Sequence, residues 1–558
     1  MPTMTGWQAV VKALKAEDIH FVYGLPGSPK DLYDALYDEP SIKAIQARHE
    51  AAGGFMAMAH ALSTGKPSVC FASPGPGCAN LTPALLESLA TCAPVVALCP
   101  GTDGRLEGKG AFQETDHIGI MTPVTKWAVR VPYVEKIPWV LHRAFSLATN
   151  GQPGPIFIEI PVEVGRSQAD IPDYIPAIRS LRTAGDPKQI NQVVNLLKHS
   201  ENPFIVAGGG ARSSGAHDEL KALAEQLGMP IMTTPSGRGI IEEDHPLYFG
   251  QVGLYRNQLG LQIFPKADLL ITVGSRNEEF QTGIWKLFPK NAKFIQIDIE
   301  SFEMSRNWIP DVPILGDSKT VLASILESIK SLDSPEWERR KENNSKMKQD
   351  YEAQVFEECQ KSNQVPIKSK RVVYEINQVF GRNTIMVHEN GSQDLWTYYS
   401  PYYRVLDRNG NVAPGEQTCM GSGVSGAVGV KLANPDKKVV CVTGDGAFQM
   451  YNQDVPTAVQ YNAPITWVIL NSFSLGWTKL GQKDLGERYI ATDFTVQPDF
   501  VQMAHSYRCY GERVEKPEDI HNALKRALKA NESGQSAILD FIVDYEDVAE
   551  GFKAYKKL

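Results

Sequence analysis

Apolar residues in this chain fall into short runs separated by longer stretches of mixed polarity. Ile19-His-Phe-Val-Tyr23, Pro67-Ser-Val-Cys-Phe71, Pro94-Val-Val-Ala-Leu98 and Pro155-Ile-Phe-Ile-Glu-Ile160 are five or six residues long and rich in β-branched and aromatic side chains. Stretches near 7–15, 50–63 and 79–91 have helical spacing. Such alternation predicts a parallel sheet wrapped by helices, ending near Val164. After a polar segment at 165–185 the pattern returns in Phe204-Ile-Val-Ala207, Ala267-Asp-Leu-Leu-Ile-Thr-Val273 and Lys293-Phe-Ile-Gln-Ile-Asp298. It appears a third time in strands near 384–388, 438–443, 465–470 and 537–543. The expected fold is α/β, with three doubly wound parallel-sheet domains at 1–165, 185–330 and 367–558. Residues 331–366 are dense in charge and poor in apolar side chains, which predicts a solvated helical connector.

With 558 residues the chain has room for about three domains of ordinary size. A net charge of −8 and the lack of a basic stretch argue against a nucleic-acid or anionic-membrane surface. No apolar stretch approaches the roughly 20 residues that span a bilayer, and the first residues lack a signal peptide's pattern, so a cytoplasmic location is expected. The eight cysteines include no Cys-x-x-Cys pair, and several lie in apolar runs. They read as reduced core residues rather than disulfides or zinc ligands.

The sharpest chemical signal is Gly444-Asp445-Gly446, which closes the apolar run Lys438-Val-Val-Cys-Val-Thr443. Glycines after a buried parallel strand let the backbone present N–H groups to an anion. A carboxylate beside a diphosphate makes sense only when a hard divalent cation bridges them. A second ligand then belongs on the next strand, and Ile465-Thr-Trp-Val-Ile-Leu470 ends at Asn471-Ser472, one crossover helix away at about 451–461. In isolation a Gly-Asp-Gly is a turn. The strand, helix, strand and Asn context makes it a diphosphate and metal site.

Together with Tyr23-Gly-Leu-Pro-Gly27, Arg48-His49-Glu50, Ser73-Pro-Gly-Pro-Gly77 with Asn80, Gly110-Ala-Phe-Gln-Glu114 and Met420-Gly421, this motif resembles the thiamine diphosphate enzymes. Within them the chain resembles the acetolactate synthase-like decarboxylases and carboligases, over nearly its whole length. The resemblance implies a pyrimidine-binding first domain, a central nucleotide-binding-like domain and a third domain holding thiamine diphosphate and Mg2+. It implies that Glu50 hydrogen-bonds N1′ of the aminopyrimidine and favours its imino tautomer. Met420 is implied to be the bulky residue over which the cofactor bends, and Gln113 a neutral donor facing the reacting carbon. Cofactor contacts are implied for Pro26, Gly27, Ser73, Gly75, Asn80, Ser392, Gln393, Gly444, Asp445, Gly446, Ala447, Leu475 and Gly476. Leu25, Ser28, Phe112, Gln113 and Trp477 are implied to line the substrate pocket. Asp445, Asn471 or Ser472, and the Ser474 carbonyl are the implied metal ligands. Family members share active sites between subunits, so a homodimer or homotetramer is expected.

Three departures bear on chemistry. The second residue of the family's metal-binding Asn pair is Ser472 here, a weaker neutral oxygen donor. Where acetolactate synthases carry a pocket tryptophan, this chain has glycine within Leu475-Gly-Trp-Thr-Lys-Leu-Gly-Gln482, and a tryptophan stands instead at 477. The flavin-contacting segment keeps Arg276 and Thr282-Gly283 but has Phe280 in place of a second arginine, which leaves FAD, an ADP-type moiety and an empty crevice all open. The leading expectation is decarboxylation of a 2-oxo acid such as pyruvate, with transfer of the resulting carbanion to an acceptor carbonyl. The alternatives are a 2-hydroxyacyl-CoA lyase or oxalyl-CoA decarboxylase and, as a minor reading, a non-catalytic scaffold. The basic, aromatic end Gly551 to Leu558 reads first as a frayed, solvated terminus and alternatively as a tail folding over a CoA-bearing site.

Overall fold

In the computed structural model, residues 3–27, 30–179, 181–389 and 391–557 are described. Three six-stranded sheets carry the fold, and every pairing within them is parallel. By contact the chain divides into two compact units. One comprises Met1–Leu181, Gln417–Pro435 and Tyr451–Ala463; the other comprises Arg182–Glu416, Asp436–Met450 and Pro464–Leu558.

In the first unit the strand order is Lys43–Gln46, Phe21–Gly24, Ser68–Phe71, Val95–Gly101, Ile156–Pro161, Trp127–Arg130. The four interior strands are those that the apolar runs predict. The two edge strands were not foreseen, because a strand buried on one side only mixes polar residues into its pattern, as Lys43-Ala-Ile-Gln46 does. A short antiparallel pair, Thr3–Thr5 with Gln168–Asp170, ties the polar segment after residue 165 back to the start of the chain.

The second unit holds two sheets. The central one runs Tyr248–Gln251, Ile231–Thr233, Pro203–Ala207, Leu269–Val273, Lys293–Asp298, Val312–Leu315, and the last runs Asn411–Val412, Thr384–His388, Lys438–Gly444, Thr466–Asn471, Ala537–Ile542, Tyr510–Val514. A buried ion pair joins them. Arg238 forks onto Glu243 at 2.7 Å through both Nε and Nη2 and also donates to the Thr397 and Tyr403 carbonyls. The charged stretch is a single helix, Pro335–Lys361, which buries Trp337, Val355 and Cys359 while most of its length faces solvent.

In all three sheets the strand order reverses beside the first strand. The reversal lies between Phe21–Gly24 and Ser68–Phe71, between Pro203–Ala207 and Leu269–Val273, and between Thr384–His388 and Lys438–Gly444. Connections leaving such a pair on opposite faces open a crevice at the strands' carboxyl ends, which is where ligands bind in this architecture.

The chain's end departs from the frayed terminus that its composition suggests. Residues Glu550–Tyr555 form a helix whose Phe552 is 1% exposed, a burial worth about 2–3 kcal/mol. Gly551 sits so close that a Cβ there would come within 2.4 Å of the Leu254 carbonyl. Six residues are too few for a periodicity to be read, and tertiary packing decides. Among the described residues no helix is long and apolar enough to cross a membrane.

Candidate active site

At the reversal of the first sheet, Gly24 pairs with Phe71, and the chain beyond each strand turns toward the other. A Cβ on Gly27 would lie 2.0 Å from Ser73 Oγ, so only glycine allows the two turns to meet. Glu50 opens the helix Glu50–Thr64, with His49 as N-cap accepting the Ala51 N–H on its side chain. Glu50 is 8% exposed, takes a hydrogen bond from Asn80 Nδ2 at 3.0 Å, and has its other oxygen 3.2 Å from where a Cβ of Gly77 would stand. A carboxylate is thus held by one amide against a glycine turn, leaving an oxygen free for a ligand.

Gly75, with φ of +63°, packs on Gln113, whose backbone is also left-handed and whose Oε1 is buried without a partner. An orphaned buried amide oxygen costs free energy unless something meets it. Leu25 is half-buried and Pro26 exposed beside Gly27, Phe112 is 79% exposed, and Ser28 lies outside the described residues. Met420 is 40% exposed and immediately precedes Gly421 and the helix Ser422–Ala433. That helix crosses Glu50–Thr64 so closely that a Cβ on Gly429 would sit 2.0 Å from the Met56 carbonyl.

At the reversal of the last sheet, the chain leaves Thr384–His388 for Gly391-Ser392-Gln393 and leaves Lys438–Gly444 for Asp445. Gly444 faces open space, with nothing within 4 Å of a Cβ built there. Gly476, which opens the helix Gly476–Asp484, fits only without a side chain: a Cβ would lie 2.4 Å from Ser392 Oγ and 2.5 Å from Gln393 Oε1. Gly446 likewise packs on Leu475. The structure therefore brings Ser392, Gln393, Gly444, Asp445, Gly446, Leu475 and Gly476 to one place, with Ala447 buried in the helix that Asp445 begins.

Asp445 is 2% exposed, and burial pushes its carboxyl up to about 6 even though Gln497 Nε2 donates to Oδ2 at 2.7 Å. Gln497 in turn accepts from Asn471 Nδ2 at 2.9 Å, and the second Asn471 amide proton goes to Asp540 Oδ1 at 2.9 Å. These bonds orient the Asn471 side chain, leaving its Oδ1 to accept the Phe473 N–H at 3.1 Å. Ser472 Oγ lies 3.3 Å from the Ser474 carbonyl and 3.2 Å from Ser474 Oγ. Trp477 packs between Phe280 and Phe552, at ring separations of 6.1 and 4.7 Å.

Three residues of this region gave no signal in the sequence. Gln497 and Asp540 reach it through folding alone. Asp394 accepts the Gly391 N–H at 2.6 Å, has its other oxygen buried without a partner, and is pushed up to about 7 by burial, with Asp445 adding repulsion. A buried carboxylate pair, an open glycine face and neutral donors fit a diphosphate with a hard divalent cation.

The central crevice differs. A Cβ on Gly208 would lie 2.2 Å from the Gly274 carbonyl, so the glycine run is packed against its neighbour. Arg276 stands among Glu278, Glu303, Asp298 and Glu416, and burial pushes Asp298 and Glu416 each up to about 7. Arg306 also pairs with Glu303 at 2.9 Å, so the crevice sets two arginines among four carboxyl groups, and both cations are already engaged by protein carboxylates.

Comparison with known proteins follows the same division. Residues 4–120 match "Thiamine pyrophosphate enzyme, N-terminal TPP binding domain", residues 190–325 the central domain of those enzymes, and residues 390–541 their C-terminal TPP binding domain. The chain is 35% identical to a "Probable acetolactate synthase large subunit" of Methanococcus aeolicus, over 97% of this chain and 92% of that protein. It is 33% identical to the "Acetolactate synthase large subunit" of Corynebacterium glutamicum, over 97% and 87%. Against the same-named protein of Buchnera aphidicola it is 31% identical over 98% and 95%.

Proposed function

The chain belongs to the thiamine pyrophosphate enzymes, as an acetolactate synthase-like decarboxylase and carboligase, and from that premise we propose that it decarboxylates a 2-oxo acid such as pyruvate and joins the remaining acyl unit to an acceptor carbonyl, with Mg2+ as the bound cation. The observation that carries the reading is the pair of switch-point crevices, one built around Glu50 and the other around Asp445. When bound, thiamine diphosphate supplies the nucleophilic carbon and the electron sink for decarboxylation.

The residues around it have simpler tasks. Glu50 would meet a ring nitrogen of the pyrimidine with its free oxygen while Asn80 fixes the other, so the carboxylate is aimed before any ligand binds. Gln113 and its orphaned Oε1 offer a neutral amide to the substrate, which orients a carboxylate or carbonyl without adding charge. Met420, 40% exposed beside Gly421, would give the cofactor an apolar surface to rest on. Ser392, Gln393 and the backbone at Gly444, Gly446 and Gly476 take the diphosphate. Asp445 supplies the one anionic ligand to Mg2+, with the Ser474 carbonyl and Asn471 Oδ1 or Ser472 Oγ as neutral oxygens. The working unit is taken to be a dimer in which Glu50 of one copy serves the cofactor held by Asp445 of the other. Residues 1–165 are assigned to the pyrimidine and 367–558 to the diphosphate.

The relatives favour a 2-oxo acid over a coenzyme A thioester. Incubation with thiamine diphosphate, Mg2+ and pyruvate should release carbon dioxide and yield a 2-hydroxy-2-methyl-3-oxo acid. Product formation from a 2-hydroxyacyl-CoA, with none from pyruvate, would defeat the assignment. Mixing inactive Glu50→Gln and Asp445→Asn chains should restore part of the activity if sites are shared between copies.

A further inference from the structure

Three side chains outside the residues assigned above converge in the first unit. Cys78 lies in the short helix Pro76–Asn80, Cys99 on the strand Val95–Gly101, and His117 at the start of the helix His117–Met121. All three are buried, at 0, 0 and 1% exposure. The two sulfurs and a His117 ring nitrogen lie within 4.8 Å of one another. His117 Nε2 accepts the Gly75 N–H at 2.8 Å, so the neutral ring carries its proton on Nδ1. That Nδ1 is buried without a hydrogen-bond partner and stands 3.6 Å from Glu159 Oε2, while Glu159 Oε1 pairs with Arg130 at 3.1 Å.

We propose that Cys78, Cys99 and His117 form a binding site for a thiophilic divalent cation, zinc by its ligand chemistry, with Glu159 as the carboxylate behind the histidine. Two sulfurs and an imidazole are a borderline-soft set that suits zinc and rejects Mg2+. Metal–ligand lengths of about 2.0–2.3 Å place tetrahedral ligand atoms roughly 3.5–3.8 Å apart, so the three atoms need close by only about 1 Å. A metal-bound histidine donates its other N–H to a carboxylate, and Glu159 stands where that partner belongs. Nε2, which spends its lone pair on the Gly75 N–H in the empty site, is then the ligand nitrogen and gives up that bond when a cation enters.

Loading has two consequences. Cysteine binds a cation as the thiolate, so each cation that enters displaces the protons of both thiols. The cation also takes the lone pair that now holds the Gly75 N–H. Gly75 belongs to the turn that carries Ser73 and Gly77 against Glu50, so occupancy is coupled to the Glu50 crevice and lowers turnover.

The test uses the full chain, purified under reducing conditions, cleared with chelator, and returned to thiamine diphosphate and excess Mg2+. Wild type should retain one zinc per chain through desalting, and cobalt in its place should show thiolate-to-metal charge-transfer absorption. Cys99→Ser and His117→Gln should each weaken retention by at least about tenfold. A cobalt spectrum without thiolate bands in wild type, which depends on no variant folding, would overturn the site. So would zinc held equally by wild type and Cys99→Ser. Zinc should slow wild-type turnover and spare Cys99→Ser; full occupancy with unchanged turnover would overturn the coupling to Gly75. Retention and spectra stand whether or not the proposed substrate is right.

Discussion

The first and last sheets reverse at the same point, yet the crevices there are built on opposite principles. Around Glu50 the structure uses contact: Gly27 on Ser73, Gly77 on the carboxylate, Gly75 on Gln113, with a single amide bond from Asn80. Around Asp445 it uses a relay of polar side chains, from Asp540 through Asn471 and Gln497 to Asp445. In the function proposed above the first crevice positions a group that transfers a proton, where reach and angle decide the rate. The second holds charge, where compensation decides affinity. Damage to the first should appear in turnover and damage to the second in cofactor retention.

The largest effect should come from breaking the first crevice. Glu50→Gln keeps the side chain's shape and its place against Gly77 but cannot hold the proton, and a loss in turnover of about 10²–10⁴-fold is expected. Cofactor affinity, measured by quenching of protein fluorescence, should change little. A loss in affinity as large as the loss in rate would erase the division between the two crevices.

Next comes the charge at Asp445. Its ordinary value is 3.8 and the folded value about 6, so the folded chain keeps a proton that the unfolded chain gives up. Stability is therefore fully present below about pH 4 and lost as pH rises through about 6, by up to roughly 3 kcal/mol at about 1.4 per unit. Melting of chelator-treated protein should fall over that window, and Mg2+ with thiamine diphosphate should restore it by meeting the charge. Asp445→Asn should shrink the fall in the metal-free profile, leaving the share due to Asp394, Asp298 and Glu416, while losing cofactor retention by about 100-fold or more. Glu50→Gln leaves Asp445 in place and should keep the metal-dependent window of the wild type.

How much of this was legible in the chain depended on where each residue sits in its sheet. Interior strands such as Val95–Gly101 and Lys438–Gly444 are apolar on both faces and announce themselves. The strands missed were mostly at edges, and Tyr510-Gly-Glu-Arg-Val514, which is half exposed, reads as loop. Glycine positions and the two key carboxylates were visible through a family resemblance because their motifs are local. Gln497 was not, since 51 residues separate it from Asp445 and only the fold brings them together. The same is true of Cys78, Cys99 and His117, whose spacing matches no ligand motif and whose meeting depends on three different elements. Trp477 was visible as an odd residue, but its neighbours Phe280 and Phe552 were not, and they place it in packing between the helix Gly476–Asp484 and the chain's end.

Smaller effects sharpen the second crevice. Gly476→Ala would push a methyl into Ser392 Oγ and Gln393 Oε1 and so displace the two side chains assigned above to the diphosphate. A loss of about tenfold in cofactor affinity is expected, near the low end of the 1–3 kcal/mol that overpacking costs, with turnover at saturating cofactor nearly unchanged. Calorimetric titration would read both the affinity and any loss of sites.

The smallest effect runs in the favourable direction. Ser472 offers the cation a hydroxyl already turned toward the Ser474 carbonyl and Oγ, whereas an asparagine would bring a carbonyl oxygen, a stronger neutral ligand. Ser472→Asn should therefore tighten Mg2+ by a few-fold, about 0.5–1 kcal/mol at the level of one ordinary hydrogen bond exchanged for a better one. The gain is limited because Asn471 is already oriented by Asp540 and Gln497 and Asp445 still carries the only charge. If Mg2+ instead weakened, Asn471 Oδ1 would be the working ligand and the residue after it a spacer. The relay from Asp540 would then be what aims the metal's neutral ligand, and Gln497→Ala should cost more affinity than any change at Ser472.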